Sequence, residues 1–186
     1  MDRRRFVIGM TALAAASGFS SVRDAAAEPG ISAAPDLLAA VAGLRGVAEG
    51  SGRGTMHVLY APWCPVSPEL YRDTRAFTPR MRINWIPFSG GQPEGRIGTE
   101  FLLRSGSPSD IPNSFTTLRR LQPIEATPLA DAQDAALAAI MPLYYRDAGG
   151  ALSTPTVFYR MAGDRVRVVK GAPQPQHIEQ IALVAA

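Results

Sequence analysis

The sequence predicts an α/β sandwich, a central mixed sheet flanked by helices, from three observations. Short apolar runs of strand length, Met56–Tyr60, Arg82–Phe88 and Thr156–Arg160, alternate with longer stretches whose apolar residues recur at helical spacing. The first two strands are separated by a helix-length segment, which favours a right-handed crossover and parallel pairing. The third is followed, after the turn Met161-Ala162-Gly163-Asp164, by Arg165–Lys170, which alternates up to Val168 as the second strand of a hairpin should.

A first helix is expected from Ala34 to about Arg45, where Leu37, Leu38, Val41 and Leu44 share a face and Pro35-Asp36 suit a first turn. The glycines between 46 and 54 then break the pattern. Strand Met56–Tyr60 leads directly into Ala61-Pro62-Trp63-Cys64, and a helix runs from the cysteine to about Phe77. Pro65 fits its first turn, where a missing amide proton costs nothing. Pro68 so soon afterwards implies a kink or a delayed regular start. The apolar density of Arg82–Phe88 indicates a buried strand. A helix over Glu94–Arg104 turns Ile97, Phe101 and Leu102 inward. Ser105–Thr127, interrupted by Pro108, Pro112 and Pro123, reads as turns with one helical turn near Phe115–Leu118. The long helix from Leu129 to about Tyr145 has Asp131 and Asp134 near its positive end and a stripe of Leu137, Ile140, Met141 and Tyr144; Pro142 bends or divides it. Tyr144, Tyr145 and Phe158 are core candidates. A final helix, Pro175–Val184, presents Ile178, Ile181 and Val184 on one face.

The chain begins Met1-Asp2-Arg3-Arg4-Arg5-Phe6-Val7, continues through small and apolar residues to about Phe19, and reaches Ala25-Ala26-Ala27. A charged start, a short apolar middle and a small-residue cleavage site read as a cleaved export signal over residues 1–27. Its apolar part falls short of the roughly 20 strongly apolar residues of a membrane span, so no stable span is expected after processing. The paired arginines before Phe6-Val7 resemble the twin-arginine export signal. The expected organisation is a signal at 1–27, an N-terminal helix and linker at 28–53, and the α/β domain at 54–186, with the protein in the periplasm or otherwise exported.

The whole chain has 19 basic and 16 acidic residues. Arg3, Arg4, Arg5 and Arg23 against Asp2 and Asp24 lie in the leader, so the remainder is nearly balanced. That removes the composition argument for nucleic-acid binding, which needs a concentrated basic surface; Arg119-Arg120 and Arg165, Arg167 and Lys170 read as solvated positions. Cys64 is the one cysteine, which rules out an internal disulfide. In an oxidising compartment a lone thiol must be buried, paired with another molecule, or reactive. One cysteine and two separated histidines, His57 and His177, give a metal site little support.

Trp63-Cys64-Pro65 after an apolar strand, Thr154-Pro155-Thr156 before a hairpin and Gly171 after the last strand resemble the thioredoxin superfamily. The resemblance is closer to the exported thiol:disulfide interchange proteins of the isomerase type and covers roughly Gly54 to Ala185. It implies a thioredoxin-like domain over 54–186, with Cys64 at a helix start, Pro155 as the cis proline that sits against it, and a helical insertion in the interval between the two. One departure matters: dithiol members carry a second cysteine three positions on, where this chain has Ser67. A complete disulfide oxidase, reductase or isomerase is therefore in doubt. The Cys-x-x-Ser pattern also occurs in monothiol glutaredoxins, but Trp63 and Val66 do not follow their glycine-bearing motif.

At a helix start, free amide protons and the helix dipole favour thiolate over thiol at Cys64, and the Ser67 hydroxyl can donate to it. Trp63 shields the sulfur and offers a flat surface to a peptide or glutathione, Pro65 adjoins it, and the Thr154 backbone can pair with an extended substrate. The expectation is monothiol exchange through Cys64 on protein or glutathione mixed disulfides, with glutathione as co-substrate or a redox protein completing the cycle. A noncatalytic binding or chaperone module is the alternative. His57 is expected to be structural, His177 to lie on the surface, and Glu69, Glu100 and Glu125 are unassigned acid-base candidates.

Overall fold

The computed structural model describes residues 29–185; the proposed signal at 1–27 lies outside them. Six strands form one sheet in the order β1-β6-β5-β3-β4-β2. These are β1 (Ile31–Ala33), β2 (Val47–Glu49), β3 (Gly54–Tyr60), β4 (Met81–Pro87), β5 (Thr156–Arg160) and β6 (Val166–Lys170). Only β3 and β4 pair in parallel; β1–β6, β2–β4, β3–β5 and β5–β6 are antiparallel. The helices are α1 (Pro35–Ala42), α2 (Ser67–Thr74), α3 (Pro93–Ser105), α4 (Ile111–Ser114), α5 (Pro128–Ala148) and α6 (Pro175–Val184).

Strand alternation divides the core into two layers. Met56, Val58 and Tyr60 of β3, with Ile83 and Trp85 of β4 and Val157 and Tyr159 of β5, pack with Leu70 of α2, Ile178 and Ile181 of α6, and Ile111 and Phe115. Leu59, Ile86, Phe158, Val166 and Val168 face the other way, against Leu37, Leu38 and Val41 of α1 and Leu137 and Tyr144 of α5. Tyr60, Trp85 and Phe115 meet edge to face in the first layer, with ring centroids 5.4 to 6.4 Å apart. The Tyr60 hydroxyl bonds Ser114 Oγ at 2.7 Å, and burial raises the Tyr60 pKa above the ordinary tyrosine value.

Both edge strands were invisible to periodicity. β2 is three residues between glycines, read from sequence as part of a break, yet Val47 is buried opposite Trp85. Its Glu49 accepts from Trp85 Nε1 at 2.7 Å and forms a two-pronged ion pair with Arg75. β1 follows Pro29, whose carbonyl accepts from the Tyr159 hydroxyl at 2.7 Å. Gly30, at φ +90°, lies so close to Val168 that an added Cβ would sit 2.5 Å from its carbonyl oxygen.

Further expectations are corrected. The helical turn in the proline-rich segment is α4 at Ile111–Ser114, and Phe115 beyond it is extended; Pro112 enters the first turn while Asp110 accepts from Asn113. Pro142 does not divide α5, which runs unbroken from Pro128 to Ala148. Pro142 and the preceding-turn residue Ala138 are both exposed, so water can satisfy the carbonyl that loses its partner. Tyr145 is 54 % exposed, one position off the stripe that buries Tyr144. Val184 is likewise exposed at the end of α6, and His177 is half-buried in its first turn.

Asp147 of α5 accepts from the Ala34 amide at 2.9 Å, so it caps α1 from a distance, and Arg146 bridges it to Asp36. The hydrogen bonds from Arg146 hold both carboxyls below the ordinary aspartate value. Groups with lowered folded-state values contribute stability that is present above their unfolded values, near pH 4, and is lost as pH falls through the folded ones. The thermal midpoint should therefore drop less steeply below pH 4 in Asp147→Asn than in the parent, measured by circular dichroism across pH 2 to 6 at constant salt.

Candidate functional site

Beyond the C-terminal end of β3 the chain makes two tight turns: the Cys64 amide donates to Ala61 O at 3.0 Å, and the Ser67 amide to Cys64 O at 3.3 Å. Regular helix begins only at Ser67. The delayed start is thus the outcome of Pro68, and Cys64 stands one turn ahead of α2 instead of at its first residue. The loop before β5 meets this turn from a distant part of the sequence. Cys64 Sγ donates to Thr154 O at 3.1 Å, and the Ala61 amide donates to Thr154 Oγ1 at 2.8 Å. The Thr154–Pro155 peptide is cis, and the Pro155 carbonyl accepts from the Gly171 amide at 2.8 Å. Cys64, Thr154, Pro155 and Gly171, singled out separately in the sequence, therefore meet.

Other expectations fare differently. Cys64 is only 4 % exposed and packs in the second core layer beside Leu59, Ala61, Phe88 and Leu137. Ser67 is fully buried, and its hydroxyl has no hydrogen-bond partner among the described residues, so it does not bond the sulfur. The Thr154 carbonyl, expected to be open for an extended substrate, is occupied by the Cys64 thiol. Pro65 and Val66 are exposed at the rim. His57 is bonded to Asn84, at 3.3 Å, in the interior of β3.

Trp63 is wedged in place. Its Nε1 donates to Ser89 O at 2.8 Å, and its ring lies so close to Gly90 and Gly95 that a Cβ on either would come within 2.9 Å of it. Ser89 is in turn held by Asp134 of α5 through both its amide, at 2.9 Å, and its hydroxyl. Pro62 is gripped similarly, accepting from the Thr116 amide at 3.0 Å and lying against Gly98 of α3. Gly98→Ala would place a Cβ 2.5 Å from Pro62 Cβ and 2.6 Å from Ser114 O. We expect it to cost about 1–3 kcal/mol of stability through overpacking, read as a shifted urea midpoint, and to loosen the Trp63 loop, read as a red-shifted tryptophan emission.

Of the acid candidates, Glu69 and Glu125 are exposed, while Glu100 is fully buried and accepts from Leu129 N, Ala130 N and Arg104 Nε at 2.6 to 2.9 Å. It caps α5 and does not reach the sulfur's hydrogen-bond partners. Ser89, Asp134 and the Gly95/Gly98 pair were missed in the sequence, although two glycines three apart in an expected helix signal a close approach. A shallow groove of about 260 Å³, lined by Phe88, Leu137, Ala138 and Met141, opens beside Gly90 and hence beside Trp63. Among the described residues no three His, Cys, Asp or Glu side chains cluster as a metal site requires, and no helix is long and apolar enough to cross a membrane.

A strand running into a cysteine turn, a crossover to a parallel neighbour, inserted helices and a cis-proline loop leading into a hairpin define a thioredoxin-like fold. The chain adopts it, with α4 and α5 as the helical insertion. Among solved structures it is similar to a periplasmic thioredoxin-like protein from Salmonella enterica serovar Typhimurium, at 16 % identity and a TM-score of 0.53 over 79 % of this chain and 94 % of that one. It is similar also to the catalytic domain of Proteus mirabilis ScsC, at 15 % identity and 0.53 over 81 % and 97 %. The likeness at these identities is one of fold. No family model and no curated protein matches the chain.

Proposed function

We propose that the protein is an exported monothiol thiol–disulfide exchange protein that acts on protein or glutathione mixed disulfides through Cys64. The convergence of Cys64 with Thr154-Pro155, Sγ lying 3.1 Å from Thr154 O, is the observation that supports it. Deprotonated Cys64 attacks one sulfur of a target disulfide; the new S–S bond joins Cys64 to the target, and the other sulfur leaves as a thiolate. Ser67 supplies no second sulfur, so an external thiolate, such as glutathione, attacks the mixed disulfide and restores Cys64. The unpartnered Ser67 hydroxyl is a donor with no bond to give up, available to the sulfur once its proton has gone. The groove beside Trp63 suits an apolar part of the target. Export rests on residues 1–27, and the periplasmic origin of one similar structure agrees with it.

Incubation of residues 28–186 with oxidised glutathione tests the proposal. Intact mass should show one glutathionyl adduct, reversed by reduced glutathione and absent in Cys64→Ser. A folded protein that stays unmodified through hours at millimolar oxidised glutathione would overturn the exchange reading. The 4 % exposure of Cys64 favours a second reading, a binding or chaperone module with an inert sulfur. Under that reading Cys64→Ser would retain the full capacity of the parent to hold unfolded polypeptide in solution.

A further inference from the structure

On the sheet face covered by α1 and α5, β3 and β4 are apolar only toward the Cys64 end, at Leu59 and Ile86, with Phe88 just beyond β4. Toward the other end the same strands present Thr55, His57, Arg82 and Asn84, cross-strand neighbours in the parallel register Thr55↔Arg82 and His57↔Asn84. The segment from Ala42 to Ala48 forms a wall over them and leaves a cavity of about 790 Å³. Its charged and polar side chains are Arg45, Thr55, His57, Arg82 and Asn84, and no carboxylate lines it. Neither the Arg45 nor the Arg82 guanidinium has an ion pair or hydrogen bond among the described residues. The wall is fixed from behind: Gln133 of α5 accepts from Arg45 N at 3.2 Å and donates to Arg45 O at 2.8 Å. Asn84 Nδ2 donates to His57 Nδ1, which leaves the imidazole proton on Nε2 as a further donor.

We propose that this cavity is a second binding site, for a small organic or inorganic oxyanion bearing carboxylate or phosphate groups. Two unpaired guanidinium groups, a threonine hydroxyl and an imidazole N–H are the donor set that such groups take, and arginine matches them with paired hydrogen bonds. Burial and the charge of Arg82 both lower the His57 pKa, which agrees with a cavity in which positive charge lacks a counterion. The site is independent of the thiol. Thr55 precedes Tyr60 by five strand residues, roughly 16 Å, and Cys64 lies beyond that end.

Calorimetric titration of the folded protein with pyrophosphate and with citrate, at constant ionic strength made up with chloride, tests it. One-site saturable binding of at least one probe is expected, together with movement of the His57 imidazole signals in NMR. Binding of pyrophosphate alone marks the ligand as phosphate-bearing, and of citrate alone as carboxylate-bearing. Arg45→Ala and Arg82→Ala, both at exposed positions, should each weaken binding about tenfold or more, whereas Arg120→Ala, outside the cavity, should not. Failure of both probes to saturate the folded protein, or equal binding by the Arg45→Ala/Arg82→Ala double variant, would overturn the proposal.

Discussion

Ser67→Cys is expected to convert the chain into a dithiol protein, with the introduced thiol closing a disulfide to Cys64 under mild oxidation. The two positions already belong to one tight turn, the Ser67 amide donating to Cys64 O at 3.3 Å, and such turns bring Cα atoms within the range a disulfide spans. The Ser67 hydroxyl makes no hydrogen bond that the exchange for sulfur would lose. A neighbouring thiol attacks at a far higher effective concentration than one in solution. Glutathionylated Ser67→Cys should therefore lose its adduct more than about a hundredfold faster than the parent at micromolar external thiol, measured by acid quench and intact mass. Reduced Ser67→Cys should also reduce one insulin disulfide per molecule, its own pair closing to the 64–67 disulfide, whereas the parent stops at a mixed disulfide unless a thiol is added. A variant that keeps two free thiols in oxidised glutathione would mean that the 64–67 turn does not serve exchange chemistry.

Glu100→Ala should be the most damaging single change away from the thiol. The carboxylate is fully buried and accepts three hydrogen bonds, two from the first turn of α5 and one from Arg104. Its removal leaves the buried Ala130 amide and the half-buried Leu129 amide without an acceptor, for a cost of about 3 kcal/mol. The consequence reaches the site because α3 and α5 hold it from two sides, α3 through Gly95 and Gly98 against Trp63 and Pro62, α5 through Asp134 on Ser89. We expect a urea midpoint lowered in proportion and, in the folded fraction, faster alkylation of Cys64 as the Trp63 loop loosens. Unchanged stability would show that Glu100 is dispensable as a cap.

The parts legible in the sequence were those in which one residue type has one use. Trp-Cys-Pro after a strand, Thr-Pro-Thr before a hairpin and the strands of five or more residues all reported themselves through pattern and motif. β1 and β2 did not, because three residues carry no measurable alternation and their stability comes from pairing to β6 and β4. The inward face of α3 was read only in part: Leu102 is buried as expected, but the rest was misread for a different reason. Hydrophobicity points to Ile97 and Phe101, which are half-buried, whereas Gly95, Gly98, Thr99 and Glu100 are buried because backbone approach and capping need small or charged groups there. The state of Cys64 was also beyond reach: that its thiol is spent on the Thr154 carbonyl depends on a contact between residues 90 positions apart.

The central claim, that Cys64 is a working nucleophile, is tested most directly by its alkylation rate at neutral pH in the folded protein and in the same chain unfolded in urea. The account predicts faster modification of the folded protein, since exchange through Cys64 requires a sulfur that reagents reach and that reacts more readily than a cysteine of an unstructured chain. Slower modification when folded would contradict it and leave Cys64 as a core sulfur in a thioredoxin-like binding module.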